Sequence, residues 1–135
     1  MKTVAKNFFL LFITIAIFSA VFFGCKEPGL RTKSDDEQIL KILQSDIEKQ
    51  AYQYPCENAG EWKFVEIGSR PCGGASGFIA YSSKVDEKTL FEKIKLFTEK
   101  EAEYNKKYNA ASPCALIVAP KSVACENGKP KFIYL

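Results

Sequence analysis

Five cysteines and one glycine-rich segment are the parts of this chain with chemistry to offer. The cysteines are Cys25, Cys56, Cys72, Cys114 and Cys125, and the segment is RPCGGASG at residues 70–77. The 135 residues include no histidine. That excludes the commonest general base and the Ser-His and Cys-His dyads. No two cysteines form a CxxC pair, so a zinc centre would need widely scattered thiolates, and a thioredoxin-type redox site lacks its motif. Hydrolysis could still run on a carboxylate pair or a Ser-Lys dyad. However, Ser76, Ser82, Ser83 and Ser112 lack a recognisable nucleophile setting, and Asp35, Asp36 and Glu37 stand where a helix start wants negative charge. The sequence therefore assigns no catalytic residue, metal ligand or cofactor.

The 70–77 segment is the candidate binding loop. Arg70, Gly73, Gly74 and Ser76 could cradle an anion through side chains and backbone N–H groups. A strand pattern follows the loop, so a helix terminus adds nothing to anion binding, and no P-loop or dinucleotide fingerprint is present. The plainer alternative is a disulfide-tethered loop whose glycines supply positive φ.

The amino terminus carries an address. Lys2 and Lys6 precede an apolar run over residues 8–23, broken by Thr14 and Ser19, and Gly24 stands directly before Cys25. The run is shorter than the roughly 20 residues that span a bilayer, which favours a cleaved signal over an uncleaved anchor. The arrangement resembles the lipobox of bacterial lipoproteins, although Phe22 and Phe23 stand where that motif prefers Leu and a small residue. The resemblance implies cleavage before Cys25, a diacylglycerol on its thiol and usually an acylated amino group. Two or more chains suffice for stable anchoring where one does not. Lys26, rather than Asp, follows the cysteine; by resemblance to diderm lipoproteins, this directs the protein to the outer membrane. The organisation expected is a signal peptide at 1–24, a lipidated end and tether at 25–34, and a single domain at 35–135.

A lipid on Cys25 would also fix the count of free thiols. Cys56, Cys72, Cys114 and Cys125 remain, an even set in an exported domain, as two disulfides require. Loss of residues 1–24 removes two lysines and no acid, leaving 17 basic against 16 acidic residues, a net of +1. No lysine cluster is interleaved with aromatics, so no nucleic-acid partner is expected.

The elements that must position these groups can be read from periodicity. Residues 35–54 carry apolar positions at helical spacing, with Ser34 and Glu37 spaced as a capping box and Pro55 ending the run. Trp62 to Ile67 alternates, with Trp62, Phe64 and Glu66 on one face and Lys63, Val65 and Ile67 on the other; residues 78–82 make a second strand paired with it. A second helix begins at Asp86 as N-cap, with Val85 and Leu90 placed as a hydrophobic staple, and runs to Tyr108. Its stripe of Leu90, Ile94, Phe97, Tyr104 and Tyr108 includes Glu101, expected at the edge with its carboxylate in water. Strands are expected at 115–119, 123–126 and 131–135, the last two flanking an Asn127-Gly128 hairpin turn, with Pro130 marking an edge.

The fold class is α+β: two helices packed on a small antiparallel or mixed sheet of four to five strands, with two disulfides. The pairing stays open. A 115–119/123–126 hairpin would bring Cys114 to Cys125 and leave Cys56 with Cys72. A crossover through the second helix would bring Cys72 to Cys114 and leave Cys56 with Cys125.

The order EW…CGG…FIAYS…EYNKKY…SPC…VAC.NGKP, from Trp62 to Pro130, resembles a group of small uncharacterised exported proteins of Bacteroidetes. The resemblance implies that the CGG loop, the Tyr-Asn helix end and Cys72, Cys114 and Cys125 form one package. The function expected is a lipid-anchored envelope protein that binds or inhibits an envelope or extracellular protein partner. The alternatives are a small hydrolase using carboxylates or Ser-Lys, and a structural envelope component.

Overall fold

The computed structural model describes residues 31–115 and 117–134. The expected signal peptide, Cys25 and the tether through residue 30 lie outside the described residues. Helix α1 spans Lys33–Ala51. Its N-cap is Thr32: the hydroxyl accepts from the Asp35 amide at 3.2 Å, and Asp35 Oδ2 accepts from the Thr32 amide at 2.9 Å. The capping box thus sits two residues before the expected Ser34–Glu37 pair. Both tetrads have the required spacing, and the earlier one extends the helix. The chain leaves the helix at Tyr52, ahead of Pro55.

Strands β1 (Trp62–Ile67) and β2 (Gly77–Ser82) pair antiparallel with Phe64 opposite Ala80 and Val65 opposite Ile79. Helix α2 spans Glu87–Lys107. Its N-cap Asp86 accepts from the Lys88 and Thr89 amides, and the Thr89 hydroxyl donates to Asp86 Oδ2 at 2.6 Å. That last bond, above all, holds the Asp86 carboxyl below its ordinary pKa. Val85 and Leu90 are both buried, as the staple requires. Strands β3 (Ser122–Glu126) and β4 (Lys129–Ile133) close the chain. Asn127 (φ 51°) and Gly128 (φ 74°) join them, the two left-handed residues of a tight I′ hairpin.

The two faces of the first hairpin organise the interior. Ile79 and Tyr81 join Ile47, Ala51, Val85, Leu90, Ile94 and Phe97 in a cluster with both helices, supported by Val65 and Ile67. Trp62 and Ala80 join Cys56 and Val123, supported by Phe64, Cys125 and Phe132. The β1–β2 hairpin therefore lies between the helix pair and the β3–β4 hairpin. Removing a side chain such as Leu90 or Ile47 from water contributes about 1.5–3 kcal/mol each, and both are fully buried.

The α+β class stands, with two corrections. The strands form two separate two-stranded antiparallel sheets, not one sheet of four to five. Burial on both faces of β1–β2 is met by stacking the second hairpin on it, so no further strand need join its edges. The described residues at 115–119 are not a strand: Ala115, Ile117, Val118 and Ala119 are exposed and outside any ladder. Pro113 and Pro120 bracket this stretch, and proline cannot donate to a ladder. The last strand likewise starts at Lys129, not Lys131.

The helices run antiparallel. Asp46–Lys93 (2.7 Å) and Gln50 to the Asp86 carbonyl (3.1 Å) join them towards one end. At the other end the Tyr104 hydroxyl donates to Glu37 at 2.6 Å, the Tyr108 hydroxyl donates to Asp36 at 2.9 Å, and Lys107 pairs with Asp36 at 2.7 Å. The bond to Glu37, then desolvation, pushes the Tyr104 pKa up to about 12.

The cysteines pair Cys56–Cys125 and Cys72–Cys114, with Cα separations of 5.2 and 5.7 Å. The Cys114–Cys125 alternative fails with the hairpin that would have produced it. No helix among the described residues is long and apolar enough to cross a membrane.

Candidate functional site: a clamped loop beside a cleft

The β1–β2 hairpin is joined by residues 68–76, too long for a tight turn, and the chain spends side chains to hold this loop. Ser76 continues the ladder by donating its amide to the Ile67 carbonyl at 3.0 Å. A row on α2 at positions i, i+3 and i+7 then grips the loop backbone. Thr98 Oγ1 accepts from the Gly68 amide at 3.0 Å while donating to the Ile94 carbonyl. Glu101 Oε2 accepts from the Ser69 amide at 2.6 Å and from the Ser76 hydroxyl at 2.8 Å. Asn105 Nδ2 donates to the Ser69 carbonyl at 2.6 Å. Glu101 therefore neither drifts in water nor stands as a buried acid with a free function. It is a carboxylate spent on an amide and a hydroxyl, the kind of charge-assisted bond that is roughly twice as strong as a neutral one.

Gly68 makes this grip feasible. It is buried with φ +77°, and a Cβ there would lie 1.8 Å from Ser76 Oγ and 2.2 Å from Glu101 Oε2. Only a residue without a side chain lets the loop backbone come this close to α2.

Beyond the grip, the loop turns outward. The Arg70 backbone is held on both sides: its amide donates to the Gly74 carbonyl and its carbonyl accepts from the Gly73 amide, each at 2.9 Å. Gly73 and Gly74 adopt positive φ, as the plainer reading of the glycines expects. Pro71, Cys72, Gly73 and Gly74 are exposed. Cys72 bonds to Cys114, and an Arg70 guanidinium N–H donates to the Ala115 carbonyl, so the loop also holds the 109–120 strap.

A cleft of about 470 Å³ opens between this turn and the end of α2, lined by Ser69, Arg70 and Gly73 on one side and by Asn105, Lys106 and Asn109 on the other. Among the described residues, no Asp or Glu lines it. Arg70 Nε is enclosed without a hydrogen-bond partner; an unmatched buried donor costs about 1–3 kcal/mol. Of the four candidate loop residues, Arg70 and Gly73 reach the cleft, Gly74 closes the turn, and Ser76 faces Glu101. Lys106 and Asn109 were not singled out from sequence; Asn105 belongs to the Tyr-Asn helix end that the resemblance puts with the CGG loop. Glu101, polar on an apolar stripe, was the visible sign that a loop docks on α2.

The acids considered for hydrolysis are also engaged: Asp35 caps α1, while Asp36 and Glu37 bind the α2 tyrosines. Among the described residues, no group of three His, Cys, Asp or Glu side chains could hold a metal ion. Compared with protein-family models, curated proteins and solved structures, the chain matches none.

Proposed function

We propose that this chain is a lipid-anchored envelope protein whose domain binds a partner through the 70–77 loop and its neighbouring cleft. Anchoring rests on Cys25 and the apolar run before it. The observation that carries the binding reading is the loop's double character. Its base is fixed by Thr98, Glu101 and Asn105, while residues 71–74 stand exposed and are tied to the strap by Cys72–Cys114. A surface ordered before contact loses little conformational entropy on association, which is how small rigid modules bind. Outer-membrane placement follows from Lys26 after the cysteine. The test is capture from envelope extracts by the detergent-solubilised full chain, beside a variant in which Pro71, Gly73 and Gly74 are replaced while Cys72 is kept. Loss of one specific partner by a variant that still melts cooperatively, at a temperature lowered by the two replaced positive-φ glycines, is the expected result. Equal capture by both forms sinks the loop assignment.

A further inference from the structure

We infer that the cleft between the 70–74 turn and the last turn of α2 takes a carboxylate group of its ligand. This rests on the loop being a binding surface, and it names the chemistry that surface recognises. Two cations line the cleft, Arg70 and Lys106, and among the described residues no acid lines it. The ion pairs of the described residues engage Lys63, Lys84, Lys93, Lys95, Lys100, Lys107 and Lys131, but neither Arg70 nor Lys106. Two cations without an ion pair among the described residues, in one concave site, are a local excess of positive charge, and a concave site focuses it.

Arg70 is also held for the task. One guanidinium N–H is fixed on the Ala115 carbonyl, and its backbone is locked to Gly73 and Gly74. A guanidinium held in place at the wall of a cleft suits a planar acceptor such as a carboxylate. Carboxylate is favoured over phosphate by the opposite wall. That wall is the carboxyl end of α2, which contributes roughly half a negative charge. It offsets part of the two cations and leaves a site matched to a monoanion. Asn105 and Asn109 add amide groups for the hydroxyls or amides next to the carboxylate. Such a carboxylate can come from a peptide terminus or from a uronic acid, and the same two cations would meet either.

The experiment is titration calorimetry on the full chain in detergent with five probes: a short peptide with a free carboxyl end, the same peptide amidated, glucuronate, glucose and inorganic phosphate. Binding of an acid but not of its neutral counterpart is expected, and whichever acid binds more tightly identifies the source. Arg70→Gln should weaken that binding about tenfold or more. Lys106→Gln, which removes an exposed cation without an ion pair and so leaves the fold intact, should weaken it about two- to fivefold. Phosphate binding in preference to both acids, binding of neither acid, or an affinity untouched by both substitutions overturns the inference. The loop reading fails separately, when the loop replacement leaves partner capture unchanged. A lost partner with no acid bound removes the carboxylate alone.

Discussion

The two disulfides of this domain do different work. Cys56–Cys125 lies in an apolar seam: Cys56 is 2 % exposed and packs with Trp62, Ala80 and Val123. It joins the chain leaving α1 to the second hairpin, and the Cys56 amide also donates to the Gly128 carbonyl at 2.9 Å. Cys72–Cys114 has both residues exposed and joins a polar loop to a strap outside any helix or ladder. The first bond is part of the core. The second is one of several restraints on a surface, beside Thr98, Glu101 and Asn105. A covalent link of given loop length constrains the unfolded chain about equally wherever it is placed; what differs is how much the native state regains when the link is cut.

That contrast can be broken in several ways, here in falling order of expected effect. Replacing Cys56 and Cys125 with serine should cost about 4 kcal/mol or more, from loop entropy plus hydroxyls placed in the apolar seam. Denaturant titration reads this directly, and a cost near zero would place the seam's stability elsewhere. Gly68→Ala should cost about 1–2 kcal/mol from the left-handed backbone, with the clash against Ser76 and Glu101 added. Its companion Glu101→Ala should lose about 1–3 kcal/mol and expose the Ser69 amide to hydrogen exchange. The double replacement of Cys72 and Cys114 should cost only about 1–2 kcal/mol, because the released strap regains freedom in the native state while the loop base stays gripped. Hydrogen exchange should quicken over residues 109–120 and leave β1 and β2 unchanged; equal losses for the two disulfide pairs would erase the distinction.

The smallest effect concerns pH. Tyr104 is harder to ionise in the folded chain than in the unfolded one, since its hydroxyl is given to Glu37. Its contribution is whole below the ordinary tyrosine value of 10.0 and is lost as pH rises through about 12. Tyr104→Phe should flatten that alkaline slope in thermal melts. A slope of unchanged steepness would assign it to other groups.

Local rules were legible in the sequence where one residue type had one role. Asp86 as N-cap, the Val85–Leu90 staple and the Asn127-Gly128 turn all rest on chemistry within four or five residues. The alternation of β1 was legible too, but alternation does not say what covers each face, so one sheet and two stacked hairpins read alike. The strap misleads for a related reason: its β-branched residues favour a strand only if a partner edge is offered, and the link from Cys114 to the loop holds it elsewhere. The disulfide pairing depended on that same choice. At the candidate site, Arg70 and the glycines were visible as types. Of their cleft partners, Lys106 and Asn109 were not, because a helix end full of polar residues looks solvated until a loop is known to dock there; Asn105 entered only through the resemblance that joins the Tyr-Asn helix end to the CGG loop.

The order of the bridges along the chain has a topological consequence. Cys72–Cys114 is nested inside Cys56–Cys125, so the exposed strap around Ile117 and Val118 lies within the outer bridge. A peptidase that cuts the strap produces two polypeptides that cannot separate. The fragment carrying Cys125 stays bonded to Cys56 and still supplies both strands of the second hairpin. A nicked molecule should migrate as one species until reductant is added and as two thereafter, and before reduction its folded core should stay whole.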